Sequence, residues 1–246
     1  MKTYKTNELA KQFQIHANTV RLYEGQHFIS KAKRLKNGYR QFDEIHFWQL
    51  FICRKIFEFP YSNSRIRKSG IDIIYASGSQ KVELLDEKLA VYRSIILEEL
   101  QKAQRANQLL LDWLNDQTIE EETHYYTRKE IASILDTTKE TVRNWERNDL
   151  VQTTLLEDPQ QRYFNEEALK RCRIIYLLRQ VGFSMHAIYQ CLHALDTNDA
   201  SLNLSKEEAF SAGDRWLIEL NSLFNSIPSL EEAVDKLKTL HLLTNL

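Results

Sequence analysis

The chain has 246 residues, 43% hydrophobic and 27% charged, the balance of an ordinary globular protein of one or two domains. Its 6 glycines and 3 prolines are too few for the many turns of a sandwich or barrel, so a mainly α chain is expected. No apolar run approaches the roughly 18 residues of a membrane span, and the N-terminus MKTYKTNELAK lacks the apolar centre of a secretion signal, which points to a cytoplasmic protein with no membrane partner.

The formal net charge of -1 conceals an uneven distribution. Residues 1–77 carry 14 Lys and Arg against 6 Asp and Glu, whereas 78–123 carry 5 against 10, 124–196 carry 10 against 10, and 197–246 carry 4 against 8. Positive charge gathered at one end suggests a polyanion as the partner there.

From Tyr4 the spacing predicts a short helix with Leu9, Ala10 and Phe13 on one face, broken at Gln14-Ile15-His16. A second helix follows over about 17–25, with Val20 and Tyr23 turned inward and Asn18, Thr19, Arg21 and Leu22 left outward. Helix, tight turn, helix is the arrangement that presents its second helix to the DNA major groove. After Phe28-Ile29 comes SKAKRLK, and then Asn37-Gly38, a strong two-residue hairpin signal, before Tyr39-Arg40-Gln41-Phe42. Lys31, Lys33, Arg34, Lys36 and Arg40 crowd onto this small ribbon, a charge density best relieved by phosphate; a merely solvated basic loop is the blander alternative. Asp43 is placed to cap a third helix striped with Ile45, Phe47, Trp48, Phe51, Ile52 and Ile56; Pro60 ends it, and Ser62 caps a short fourth helix.

Val82, Leu85, Leu89, Tyr92, Ile96, Leu100, Ala103, Leu110 and Leu114 then recur at steps mostly of three and four, predicting one long amphipathic helix whose seam is interrupted by Asn107. Such a stripe needs a helical partner, and 205–224, with Ala209, Trp216, Leu217, Leu220, Leu223 and Phe224, supplies one. Recruitment of a second chain by both helices is the alternative. Beyond Pro228 a further short helix is expected, with Leu230, Val234, Leu237 and Leu240.

Between these helices the first stretch returns. NTVRLYE at 18–24 reappears as ETVRNWE at 140–146, and at the same offset of 122 residues Tyr4 falls on Tyr126, Glu8 on Glu130, Arg40 on Arg162, Phe42 on Phe164 and Ile66 on Ile188. That is a duplication, and two copies make a tandem pair of domains. Thr127 to Glu130 and Thr137 to Glu140 both have capping-box spacing. The ribbon has changed: TTLLEDPQQ lacks the Asn-Gly turn and brings Glu157 and Asp158, although Arg162 remains. Trp145, in the place of Tyr23, can serve as core or as a phosphate-facing aromatic, and core is the favoured reading because aromatics at helical spacing usually pack.

ELAKQFQIHANTVRLYE with NGYRQF, and KEIASILDTTKETVRNWE with GFSMHAI, resemble the winged helix-turn-helix domain of the MerR family of bacterial transcription regulators. The resemblance covers about 140 of 246 residues and departs at Leu22, where the family usually has an aromatic, and at His16, where a small hydroxyl cap is usual. It implies tandem winged helix-turn-helix domains with small β-hairpin wings at 1–77 and 124–196, joined by long antiparallel coiled-coil helices from a linker at 78–123 and C-terminal helices at 197–246. In the family the equivalent helix joins two protomers; here both halves lie on one chain, so an intrachain pseudo-dimer is expected, a monomer rather than a homodimer.

The expected function is that of a sequence-specific transcription regulator on double-stranded DNA, with a DNA-architectural or chromosome-anchoring protein as the alternative. A MerR-type dimer bends and untwists promoter DNA so that misplaced polymerase elements realign, which implies RNA polymerase as a further partner and, with unlike heads, an asymmetric site. Arg21 and Arg143 are the candidates for groove contacts, with Asn18, Thr19 and Lys139 secondary and Tyr23 a further DNA-binding candidate; Lys31, Lys33, Arg34, Lys36, Arg40 and Arg162 position the duplex. Cys53, Cys172 and Cys191 fall inside helical patterns without CxxC spacing, so no metal or cofactor is expected. Scattered histidines and the lack of a Gly-rich phosphate loop argue against an enzyme.

Overall fold

A computed structural model describes residues 2–59, 63–114, 124–155, 161–180, 182–197 and 203–244. The first copy runs β1 (Thr3–Lys5), α1 (Thr6–Gln12), α2 (Ala17–Gly25), β2 (Lys33–Arg34), β3 (Arg40–Asp43), α3 (Glu44–Phe57) and α4 (Ser64–Gly78). Its antiparallel sheet has the order β1-β3-β2, so the expected two-stranded ribbon gains a third strand. Tyr4 lies in that strand, opposite Phe42, and does not begin a helix. Three residues are too few to display an alternating pattern; the buried Tyr4 ring, stacked on Phe47 at 6.0 Å, holds the segment extended.

The ribbon's loop also differs from expectation. Gly38 alone there takes a positive φ, 80°, while Gly38 N–H donates to Leu35 O and Leu35 N–H to Tyr39 O. This is a three-residue connection with glycine at its bulge, not a two-residue Asn-Gly turn.

Asp43 caps α3 as expected, accepting from the N–H groups of Ile45 (3.0 Å) and His46 (3.3 Å). Burial raises its carboxyl, but bonds from the His46 ring and these two amides, with the charge of His46, outweigh that and hold it below the usual carboxylate range. Pro60 and Ser62, the predicted stop and cap, lie outside the described residues; Asn63 caps α4 through Arg65 N–H and Ile66 N–H. Val20, Ile29, Phe42, Leu50, Ile52, Ile66 and Ile73 are fully buried beneath these helices, each contributing about 1.5–3 kcal/mol of apolar burial.

The second copy repeats the first in β4 (Tyr126–Thr127), α6 (Arg128–Leu135), α7 (Lys139–Arg147), β5 (Thr154–Leu155), β6 (Arg162–Phe164), α8 (Glu166–Gln180) and α9 (Met185–Thr197), α5 being the long helix between the copies. Its sheet order is β4-β6-β5, with Tyr126 opposite Phe164 as Tyr4 is opposite Phe42. The left-handed residues recur at the same offset. Gln14 (φ 52°) and Asp136 (φ 53°) end the first helix of each copy, and His27 (φ 58°) and Asp149 (φ 53°) follow the second. Thr127 and Glu130 form the expected capping box; the next helix is capped by Thr138, which accepts from Thr141 N–H, rather than by Thr137. Trp145 is buried, as are Cys53, Cys172 and Cys191, and burial pushes the Cys53 and Cys172 thiols up.

The long helix α5 spans Leu85–Leu114, and the last helix, α10, spans Asn203–Thr244. The described chain divides into two compact units, one of residues 1–97 with 221–246 and one of residues 98–220, so each unit takes a part of α5 and a part of α10. In the first unit Lys238 pairs with Asp86, and Arg93 with Glu231 at 3.5 Å. In the second, Asn107, the interruption in the seam, donates to Asp214 at 3.1 Å. There too the buried Glu99 accepts from Lys102 and from the Tyr176 hydroxyl, both at 2.9 Å. Leu85, Leu89, Tyr92, Ile96, Leu100 and Ala103 are buried as the stripe predicts; Leu110, Trp113, Leu114 and Ala209 lie outside the described side chains. Pro228 does not separate two helices but sits inside α10 on an exposed position. The lost N–H bond is tolerated there because Leu223, Ile227, Leu230 and Val234 on either side are buried.

Candidate nucleic-acid interface

In the first copy the α1–α2 turn ends on His16, which does the work of the missing hydroxyl cap: its Nδ1 accepts from Asn18 N–H at 3.2 Å. Val20 anchors α2 from below, leaving Asn18, Arg21 and Leu22 exposed and Thr19 half-buried. Arg21 Nη1 donates to Asn18 Oδ1 at 2.7 Å, so a neutral side chain orients the guanidinium and leaves its charge uncompensated. Tyr23 departs from the expectation of a DNA contact. Its ring is buried against Phe28 and Phe57, with centroids 5.6 and 5.9 Å away, and burial pushes its phenol up against the pull of a bond from Arg54.

The wing brings its cations together as predicted in type but not in number. Lys31, Lys33, Arg34 and Lys36 are all exposed. Arg40 is directly opposite Arg34 in the strand register, a repulsive placement that is relieved because the two side chains leave in different directions. Arg34 donates to Gly38 O at 3.3 Å, whereas Arg40 Nε donates to Glu24 Oε2 at 2.5 Å. Glu24, nearly buried at the end of α2, also accepts Ala32 N–H at 3.1 Å through Oε1. One carboxylate thus ties the second helix to β3 and to the residue that leads into β2, and Arg40 is a positioning residue of the wing. Pattern alone marks neither Tyr39, 71% exposed beside the loop, nor Glu24; the first shows only once the loop is built, the second only once its partners are known.

In the second copy Lys139, Glu140, Arg143 and Asn144 are exposed on α7, and Thr141 is half-buried. Glu140 stands where the first copy has Asn18, and Arg143 Nη1 lies 3.6 Å from its carboxylate. The latch has also changed partners. Glu146, the counterpart of Glu24, is held by Arg128 of α6 through two bonds of 2.6 and 2.8 Å, which keeps Arg128 above its usual range. Arg162 is exposed on β6, opposite Leu155, and takes no part in that pairing. Glu157 and Asp158 lie outside the described residues.

Two short capped helices, a buried hydrophobic seat under the second, a three-stranded sheet and a helix pair are therefore built twice in one chain. A family model of the MerR HTH family regulatory proteins matches residues 4–69 and again residues 126–195, more than half of the chain. The chain belongs to the MerR family. MerR-type regulators are DNA-binding transcription regulators rather than enzymes, and DNA binding with transcription regulation is the function that membership carries to this chain. Neither a curated protein nor a solved structure matches the chain. The first match includes α2, with Asn18, Arg21 and Leu22 exposed on it, and the exposed cations Lys31, Lys33, Arg34 and Lys36 on and around β2. No described helix is long and apolar enough to cross a membrane, and no described group of His, Cys, Asp and Glu is arranged to hold a metal.

Proposed function

We propose that the chain acts as a single-chain pseudo-dimer, in which the segments 1–77 and 124–196 are unlike reading heads of one transcription regulator bound to an asymmetric promoter site. The observation that carries this reading is the difference between the two reading helices. Asn18 beside Arg21 leaves a full positive charge for the groove, while Glu140 beside Arg143 offsets it. The first wing displays Lys31, Lys33, Arg34 and Lys36, and the first head is the stronger.

Pairing of α5 with α10 within the chain is supported in the first unit by Asp86 with Lys238 and Arg93 with Glu231, contacts that descend one helix as they ascend the other, and in the second unit by Asn107 with Asp214. An antiparallel pair of this kind substitutes for the dimer helices of the family, so the active species is a monomer. Arg21 and Arg143 contact base edges, assisted by Asn18, Thr19 and Lys139, and the wing cations with Arg162 hold phosphates. Distortion of the duplex and a productive encounter with RNA polymerase follow from the family's way of working.

Footprinting on fragments selected from the source genome tests the reading. The expected result is one protein molecule per site and unequal protection of two dissimilar arms. A palindromic site with both arms protected equally overturns it, and run-off transcription unchanged by bound protein leaves an architectural role in its place.

A further inference from the structure

Asn18 and Glu140 are the second residues of α2 and α7, 122 positions apart, and both are exposed. Each faces an arginine one turn on: Arg21 bonds Asn18 at 2.7 Å, while Arg143 stands 3.6 Å from Glu140, beyond hydrogen-bond length. With the Glu140 side chain 76% exposed and that of Arg143 50%, the second contact is a loose surface ion pair worth little, and it does not hold the carboxylate away from the groove.

We propose that Glu140 is a specificity-determining residue of the second head, accepting the exocyclic amino group of a cytosine so that this head selects a base that the first head, with Asn18, does not. The inference rests on the two-headed DNA-binding reading above. An ionised carboxylate accepts and cannot donate. In the major groove guanine offers N7 and O6, both acceptors, and thymine offers the acceptor O4 with a methyl group; adenine sets its amino donor beside the acceptor N7. Cytosine alone offers a donor with no competing acceptor. Glu140 therefore favours one base and repels the others, discrimination made largely by the unfavourable pairings. Asn18 carries an amide that both donates and accepts, the pattern adenine satisfies. Arg143, adjacent to Glu140, offsets the repulsion between the carboxylate and the phosphates.

Selection of bound fragments by the full chain, run in parallel for the unaltered protein, Glu140→Gln and Asn18→Ala, tests this. The unaltered protein is expected to enrich cytosine at one position of one arm by about tenfold or more. Glu140→Gln moves that position toward adenine and leaves the other arm as it was, whereas Asn18→Ala relaxes only the other arm. If Glu140→Gln tightens binding to all fragments equally with the preference unmoved, Glu140 is only a repulsive surface charge and the proposal falls. If the unaltered protein selects no sequence at all, the regulator reading itself falls and takes this one with it.

Discussion

Glu24 holds the first wing in place, and replacing it with glutamine separates its charge from its shape. Glutamine keeps an oxygen for Ala32 N–H, now 3.1 Å away, but presents a neutral amide to Arg40 Nε where the carboxylate accepted at 2.5 Å. A hydrogen bond to a charged group contributes about 1.5–3 kcal/mol and a neutral one about 0.5–1.5. Arg40 keeps 26% of its side chain in solvent and can turn outward, which limits the loss. The net cost of Glu24→Gln is about 1–2 kcal/mol. Glu24→Ala also strands the N–H of buried Ala32, raising the total to about 3–4 kcal/mol.

The assay is hydrogen exchange of the Ala32 amide, read beside that of Thr154, its counterpart 122 residues on. In Glu24→Gln the Ala32 amide exchanges roughly 5- to 30-fold faster, since about 1.4 kcal/mol is tenfold. In Glu146→Gln, which loosens Arg128 instead, Thr154 keeps its rate. Unchanged protection at Ala32, or equal acceleration of the two wings by their respective variants, refutes the latch.

Four further outcomes follow from the geometry. Arg21→Ala costs about 1–3 kcal/mol of specific DNA affinity and Arg143→Ala costs less, checked by titration of each variant against the selected site. Lys33→Ala with Lys36→Ala removes two exposed cations, and the slope of log affinity against log salt falls by about 2. Gly78→Ala places a methyl group 2.2 Å from the backbone oxygen of His27 and 2.8 Å from Phe28 C, so thermal unfolding shows a loss of about 3 kcal/mol. The Asp43 carboxyl is depressed in the folded chain, so its stabilisation is present above about pH 4 and is lost as pH falls through its folded value. Asp43→Asn keeps a cap but cannot titrate, so its melting temperature approaches that of the unaltered protein between pH 5 and 2.

The parts of the fold legible in the sequence were those written in repeated spacing. The 122-residue offset, the apolar stripe of α5 and the outward row of α2 depend on period alone, and Val20, Leu89 and Ile96 are buried where period puts them. What escaped was decided by contacts between distant positions. Nothing around Glu24 distinguishes it from Glu146, yet one is claimed by an arginine sixteen residues later and the other by an arginine eighteen residues earlier. Gln49 and Arg171 likewise occupy the same place. The first bonds Ser30 N–H and Ser77 O; the second bonds Leu150 O and grips Asp196 with two bonds of 2.6 Å. Tyr23 was legible only in part: helical spacing turns it inward, but that it is core and not a DNA contact is decided by the rings of Phe28 and Phe57, on other elements.

In a homodimeric regulator one codon writes both arms, so every substitution in the reading helix is made twice and must suit two half-sites at once. Here residues 18–24 and 140–146 are encoded apart. On the proposed two-headed reading, an alteration of one of these helices leaves the other to hold the protein on its promoter while the new preference is tried, and the bound molecule has a front and a back, so it marks a direction along the DNA as well as a place.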